Sequence, residues 1–196
     1  MIDFFPTPGV HSQKVRIMLE ETGLPYAARA AETHAAEPTF FGRSPSLRDP
    51  DGPGGLPITI TESAAIALYL ARKAHKFGPE GAREAVAFDY WSHAISSTLS
   101  SLFAVHEHFK AQADASAATV TFAEAVRKAL HRFEENIATR HFMIGERFTI
   151  IDALLYPHLA TSAPALSGGL SGFPNLERYR DRIAQREAVR RAMAAG

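Results

Sequence analysis

Strand-forming patterns are confined to the first 61 residues of this chain, and from Gly81 onward only helical periodicity remains. Ile2 to Phe5 is a short apolar run that stops at Pro6-Thr7-Pro8-Gly9, the pattern of a strand entering a loop. Val15, Met18 and Leu19 recur at helical spacing until Gly23 and Pro25, which predicts a helix from about Ser12 to Thr22. Tyr26 to Ala31 reads as a weak strand, and Glu32 to Gly55 reads as loop with a short helical turn near Phe40. Leu56 to Thr61 reads as a strand, and Ser63 to Lys73 as a helix. That order is the pattern of an α/β layer. Beyond it, Arg83 to Lys110 reads as one long helix, Phe122 to Ile137 as a second, Thr149 to Ala160 as a buried helix, and Leu176 to Ala194 as a final amphipathic one, with a small-residue loop at Asp114 to Thr119. The expected organisation is an α/β domain over residues 1–76 and an all-α domain over 82–196, joined by the polar His75–Gly81 link.

Composition narrows the chemistry. With no cysteine the chain has no disulfide, no thiolate metal site and no cysteine nucleophile, so any thiol chemistry must use a sulfur that arrives with a ligand. Lys plus Arg and Asp plus Glu both number 21, a balance that argues against nucleic acid or an anionic membrane as partner. No apolar run approaches the ~20 residues that span a bilayer, and the start carries no secretory pattern. A cytoplasmic location is the expectation. The nine histidines are scattered, and His106 and His108 stand two apart, on different faces of a helix; no metal site is expected.

Four stretches, in order, resemble the bacterial glutathione transferases, most closely a nu-like group with some beta-like features: MIDFFPTPGVHSQKVRIMLEETGLPY, GPGGLPITITESAAIALYLARK, FMIGERFTIIDALLYPHL and FPNLERYRDRIAQREAVRRAMA. The resemblance implies a thioredoxin-like N-terminal domain that binds glutathione, an all-helical C-terminal domain and a two-fold homodimer. The implied reaction conjugates glutathione to small electrophiles or reduces small disulfides through a stabilised glutathione thiolate. It places the thiol beside Thr7, His11 and Ser12, with Pro8, Gly9 and Val10 completing the loop. Thr7 matches the threonine of a Thr-Pro-Asn pattern whose Asn is Gly9 here, and the cysteine of the beta group falls on His11. A hydroxyl or a helix-start N–H at this loop would lower the thiol pKa, and His11 would donate if protonated or act as a base.

Glu62-Ser63 alone reads as a plain helix cap with an exposed Glu. Within the resemblance it reads as the anchor of the γ-glutamyl head, Ser63 at a helix start for the carboxylate and Glu62 for the ammonium. Leu56 and Pro57 are the remaining candidates for glutathione binding, at the start of the last strand. The family's preceding strand, entered through a cis-proline, has no counterpart in this reading: Ser44-Pro45-Ser46-Leu47-Arg48 runs straight into a Gly/Pro-rich stretch. A shortened sheet and weak glutathione affinity follow from that. The alternative reading is therefore a non-catalytic transferase-like binding module. Trp91, Phe103 and His106 are candidates for an acceptor-substrate pocket, against the ordinary reading of such residues as core. Thr149 to Asp152 is read as a structural capping box.

Overall fold

The computed structural model describes residues 1–30, 45–112 and 116–195. The expected turn near Phe40, and Asp114 and Ala115 of the expected loop, lie outside them; the rest of that loop, Ser116 to Thr119, is helical instead. The chain divides into two compact units, residues 1–78 with 184–196, and residues 79–183.

The first unit is built on a four-stranded sheet in the order β2-β1-β3-β4. Strand β1 (Ile2–Phe5) leads into helix α1 (Val10–Thr22) and returns as β2 (Tyr26–Ala28), which pairs parallel to β1. Gly23 ends α1 in the left-handed region (φ 71°), donating its N–H to the Leu19 carbonyl. Strand β3 (Ser46–Asp49) pairs antiparallel with both β1 and β4 (Ile58–Ile60), and helix α2 (Ser63–Ala74) follows. The strand that sequence reading found missing is thus present, at Ser46-Leu47-Arg48-Asp49, and the sheet is not shortened. Its polar composition hid it: Ser46 and Asp49 are buried, yet neither is a typical strand residue. Asp49 instead fastens β3 to α2, accepting from Tyr69 Oη (2.5 Å), Lys73 Nζ (2.9 Å) and the Asp51 N–H (3.0 Å). Burial works against its ionisation, but these donors outweigh it and hold the carboxyl below its ordinary pKa.

Ile2, Phe4, Val15, Met18, Leu47, Ile66 and Leu70 form the core of this unit. Lys14 is buried among them, 1% exposed, and desolvation lowers its pKa to about 7. The final helix also belongs here. Helix α8 (Glu187–Ala194) packs on α1, with Arg186 bidentate on Glu21 (2.5 and 2.8 Å) and Arg191 on Glu20 (2.7 Å).

The second unit is all helical. The predicted long helix is α3 (Ala82–His93) and α4 (Ser100–Lys110), joined through a π-helical turn at Ala94–Leu99. Helix α5 (Ser116–Ile137) packs on α4, and α6 (Ile150–Pro157) is buried along its whole length. A second π turn, His158–Ser162, starts after Pro157, the kind of residue that interrupts an α-helix. The predicted last helix is broken at Gln185-Arg186 into α7 (Pro174–Ala184) and α8.

The capping box forms, and its carboxylate organises more than a cap. Asp152, fully buried, accepts from the N–H of Met143 (2.8 Å), the N–H and Oγ1 of Thr149 (2.8 and 3.0 Å) and Tyr179 Oη (2.8 Å). Burial still pushes its pKa up against those bonds. Replacing Asp152 by Ala leaves several buried donors unsatisfied at about 1–3 kcal/mol each. We expect a loss of about 3 kcal/mol or more, read as a fall in the urea midpoint, and about 1 kcal/mol for Tyr179→Phe.

Lys14 yields a second prediction. Its pKa is depressed in the fold, so between about pH 7 and 10.5 the unfolded chain binds the extra proton. Stability should rise as pH rises through that window, and Lys14→Met should flatten the rise, measured by urea unfolding at pH 7 and pH 9.5.

Candidate functional site

The site lies at one end of the first unit's sheet. The β1–β3 register places Phe5 opposite Ser46, so Pro6-Thr7 leave the sheet beside the buried Pro45 at the entry to β3. The β3–β4 register places Ile60 opposite Leu47, which returns Glu62 and the start of α2 to that same end. By the same antiparallel logic Leu56 and Pro57 fall at the opposite end, where Asp49 faces Ile58, and both are exposed. They are not brought to Thr7; Pro45 and Ser46 stand in their place. No peptide bond among the described residues is cis, Pro57's included, and the Ser44–Pro45 bond lies outside them.

Two hydrogen-bonded pairs occupy this corner. Ser12, at the start of α1 and 3% exposed, accepts the Thr7 N–H at its Oγ (2.7 Å), and the two hydroxyl oxygens stand 3.4 Å apart. Ser12 Oγ accepts from the loop backbone, and either hydroxyl can donate to the other, so one hydroxyl proton of the pair stays available for a ligand. Gly9 caps α1 with φ 104° and ψ −174°, a conformation reserved almost entirely for glycine. A side chain at this position would be strained, which accounts physically for glycine where the resemblance expects Asn.

The second pair is His11 and Ser63, whose Nδ1 and Oγ share a 3.1 Å hydrogen bond. Partial burial, and then the Lys14 charge, lower the His11 pKa to about 4, although the ring keeps an exposed edge. The imidazole is therefore neutral at neutral pH, which removes the protonated-donor role. Ser63 is not the helix cap. It is the first residue of α2, its hydroxyl is turned to His11, and no side chain caps this helix. The free N–H groups of the first turn remain as an anion site. The cap position is Glu62, exposed and at φ 69°, a rare conformation for a non-glycine residue.

A cavity of about 320 Å³ opens on the loop between β1 and α1, lined by Pro6–Gly9 with Ser12, Gln13 and Arg16. Val10 is the first residue of α1 and is half-buried, outside this lining. Gln13 and Arg16 escaped the sequence reading, although Arg16 follows Ser12 at the i, i+4 spacing that puts both on one helix face.

The three acceptor-pocket candidates separate within the second unit. Trp91 lines a cavity of about 560 Å³ with Tyr90, His93, Arg132 and Phe133, and meets Phe133 at 5.2 Å between ring centroids. Phe103 and His106 are core residues, 2% and 3% exposed. Phe103 stacks on His158, whose Nε2 meets Ser100 Oγ at 2.7 Å. His106 has a buried Nδ1 without a hydrogen-bond partner, and burial followed by the Lys110 charge lowers its pKa. Among the described residues no group of His, Cys, Asp and Glu is arranged to hold a metal, and no helix is long and apolar enough to cross a membrane.

Residues 10–73 match the family model for the glutathione S-transferase N-terminal domain, and residues 93–187 match the one for the C-terminal domain. The chain is 25% identical to disulfide-bond oxidoreductase YfcG of Escherichia coli (strain K12), over 98% of this chain and 94% of that one. It is 26% identical to glutathione S-transferase 3 of Zea mays, over 93% and 88%. The fold superimposes with a TM-score of 0.89 on a glutathione transferase family member from Pseudomonas fluorescens pf-5, solved with two glutathione bound, at 24% identity over 98% of this chain and 92% of that one. Two-domain matches in register, together with a thioredoxin-like unit and a helical unit, establish that this chain belongs to the glutathione S-transferase family.

Proposed function

We propose that the chain is a glutathione transferase whose first unit holds glutathione as a thiolate and directs it at an electrophile or a small disulfide. The observation that carries this reading is the convergence of the Thr7–Ser12 hydroxyl pair and the uncapped start of α2 at one sheet end, linked by the His11–Ser63 hydrogen bond. The chain has no sulfur nucleophile of its own, so the substrate's thiol does that work.

In this reading the γ-glutamyl carboxylate meets the N–H groups of the first turn of α2 and the Ser63 hydroxyl. The exposed Glu62 carboxylate takes the ammonium on the same carbon. The Thr7 hydroxyl donates to the sulfur and stabilises it as an anion, while Ser12 fixes the loop that presents Thr7. A free thiol has a pKa near 8.5, and one charge-assisted hydrogen bond lowers it by roughly one unit, at about 1.4 kcal/mol per unit. In conjugation the sulfur forms a C–S bond and the acceptor's leaving group departs with its electron pair. In disulfide reduction the sulfur forms a mixed disulfide and expels a thiolate; a second glutathione then resolves it, giving glutathione disulfide. No protein nucleophile takes part, and positioning with pKa lowering supplies the rate. The complete sheet, with β3 entering beside Thr7, favours this over the non-catalytic reading. A two-fold homodimer and a cytoplasmic thiol pool complete the proposal; sedimentation velocity checks the first.

Calorimetric titration should show glutathione binding at or below millimolar concentration. Thr7→Ala should lower kcat/KM by about ten- to a hundredfold, and should move the alkaline rise of the pH profile up by about one unit. Ser63→Ala and Glu62→Gln should act chiefly on the KM for glutathione, by about tenfold. Absence of binding at several millimolar would end the proposal.

A further inference from the structure

Among the described residues Arg16 has no carboxylate partner. Its Nε is buried without a hydrogen-bond partner, its guanidinium stands over the Phe4 ring, 5.7 Å from the centroid, and its charge also acts through space on the Tyr26 phenol. The acid that helical spacing would offer it is Glu20, four residues on, and that carboxylate is taken by Arg191 (2.7 Å) and by Tyr26 Oη (2.8 Å). The adjacent Glu21 is taken by Arg186. Arg16 therefore keeps its donors for the cavity it lines, which has the thiol loop as its other wall. An unpaired guanidinium beside a cavity is a carboxylate receptor by chemistry, because its planar fork of N–H groups matches two carboxylate oxygens.

We propose that Arg16 selects acceptor substrates bearing a carboxylate, holding that group in the cavity while the electrophilic atom meets the glutathione sulfur at Thr7. This rests on the reading above for where the sulfur sits. The spacing fits a small ring. Four residues of α-helix rise about 6 Å, so Arg16 stands one turn from Ser12, a span of the order of a benzene ring with its carboxylate together with the bond forming at the para carbon. With 4-chloro-3-nitrobenzoate as acceptor, the sulfur forms the C–S bond at the chlorine-bearing carbon. Chloride leaves with the electron pair, and the thiol proton has already passed to solvent.

The test compares 4-chloro-3-nitrobenzoate with 4-chloro-3-nitrobenzamide, which has the same ring and no charge. Each rate is divided by its uncatalysed reaction with glutathione. In the wild type the corrected kcat/KM ratio should favour the acid. Arg16→Gln should lower that ratio by about ten- to a hundredfold, chiefly through KM for the acid, and Arg16→Lys should recover part of it. A ratio unmoved by Arg16→Gln overturns the proposal, whatever happens to the absolute rates. Should neither acceptor turn over, calorimetric binding of benzoate against benzamide to the wild type and Arg16→Gln decides in the same way. Benzoate bound equally by both proteins, or by neither, overturns it. Glutathione binding, measured separately, tells failure of this inference from failure of the thiolate site.

Discussion

The antiparallel pairing of β1 with β3 decides where the chemistry of the first unit can be. Backbone groups have to be paired, and β3 does this by entering the sheet with Ser46 opposite Phe5. Pro45 is thereby fixed beside the loop that carries Thr7. The hairpin from β3 to β4 then reverses the chain once more, so that Glu62 and Ser63 return to the end they would otherwise leave. Slipping that register by one residue would turn Leu47 out of the core and move the start of α2 relative to Thr7. The Asp49–Tyr69–Lys73 contacts at the other end hold the pairing from behind. They connect the far end of β3 to the same helix whose first turn forms the site.

Around that frame the charges fall into two groups. Lys14 is buried at the back of α1, and its proximity, after partial burial, keeps His11 neutral. A neutral imidazole bridges to Ser63 without competing for an anion at the helix start. Arg16, one turn further on the Ser12 face, has a buried Nε without a hydrogen-bond partner. Glu20, four residues on, is instead bound by Arg191 of α8, and Glu21 by Arg186 just before that helix. The C-terminal segment thus does more than cover apolar surface: it takes up the two acids that follow Arg16 on α1.

Much of this architecture was legible in the residues. The Pro/Gly stop after Phe5, the helical spacing of Val15, Met18 and Leu19, and the disappearance of strand patterns after Gly81 all correspond to observed elements. The capping box was legible because it is local: Thr149 and Asp152 are three residues apart, and satisfy each other's backbone whatever surrounds them. Strand β3 was hidden because its reason for being a strand is tertiary. Ser46, Arg48 and Asp49 carry no strand signal, and only pairing on both sides and the Asp49 contacts make them one. With Ser46 to Asp49 read as loop, Leu56 and Pro57 look like neighbours of Thr7, although they stand at the far end of the hairpin. In the sequence Lys14 and Arg16 flank Val15 as ordinary charges of an amphipathic helix do. Nothing in a one-dimensional pattern marks which lysine is buried, or which arginine loses its expected i+4 partner to another helix.

The backbone at Glu62 bears on what the corner is for. Positive φ at a non-glycine residue costs of the order of 1–3 kcal/mol and persists only where its surroundings enforce it. The chain has three such residues among those described, Glu62, His75 and Phe77, so the conformation alone marks nothing. His75 has an ordinary explanation, since it ends α2 in the left-handed region and donates its N–H to the last turn. At Glu62 the carbonyl accepts the Ile66 N–H (2.9 Å) as the first bond of α2, and no side chain caps the helix. The strain instead turns the chain sharply between β4 and α2. That turn leaves the Glu62 carboxylate in solvent, and it aims the first N–H groups of α2 into the same corner as Ser63 and His11. A residue held this way for stability alone would be better replaced by glycine. On the proposed reading Glu62 has to present a carboxylate next to a helix start, which glycine cannot do.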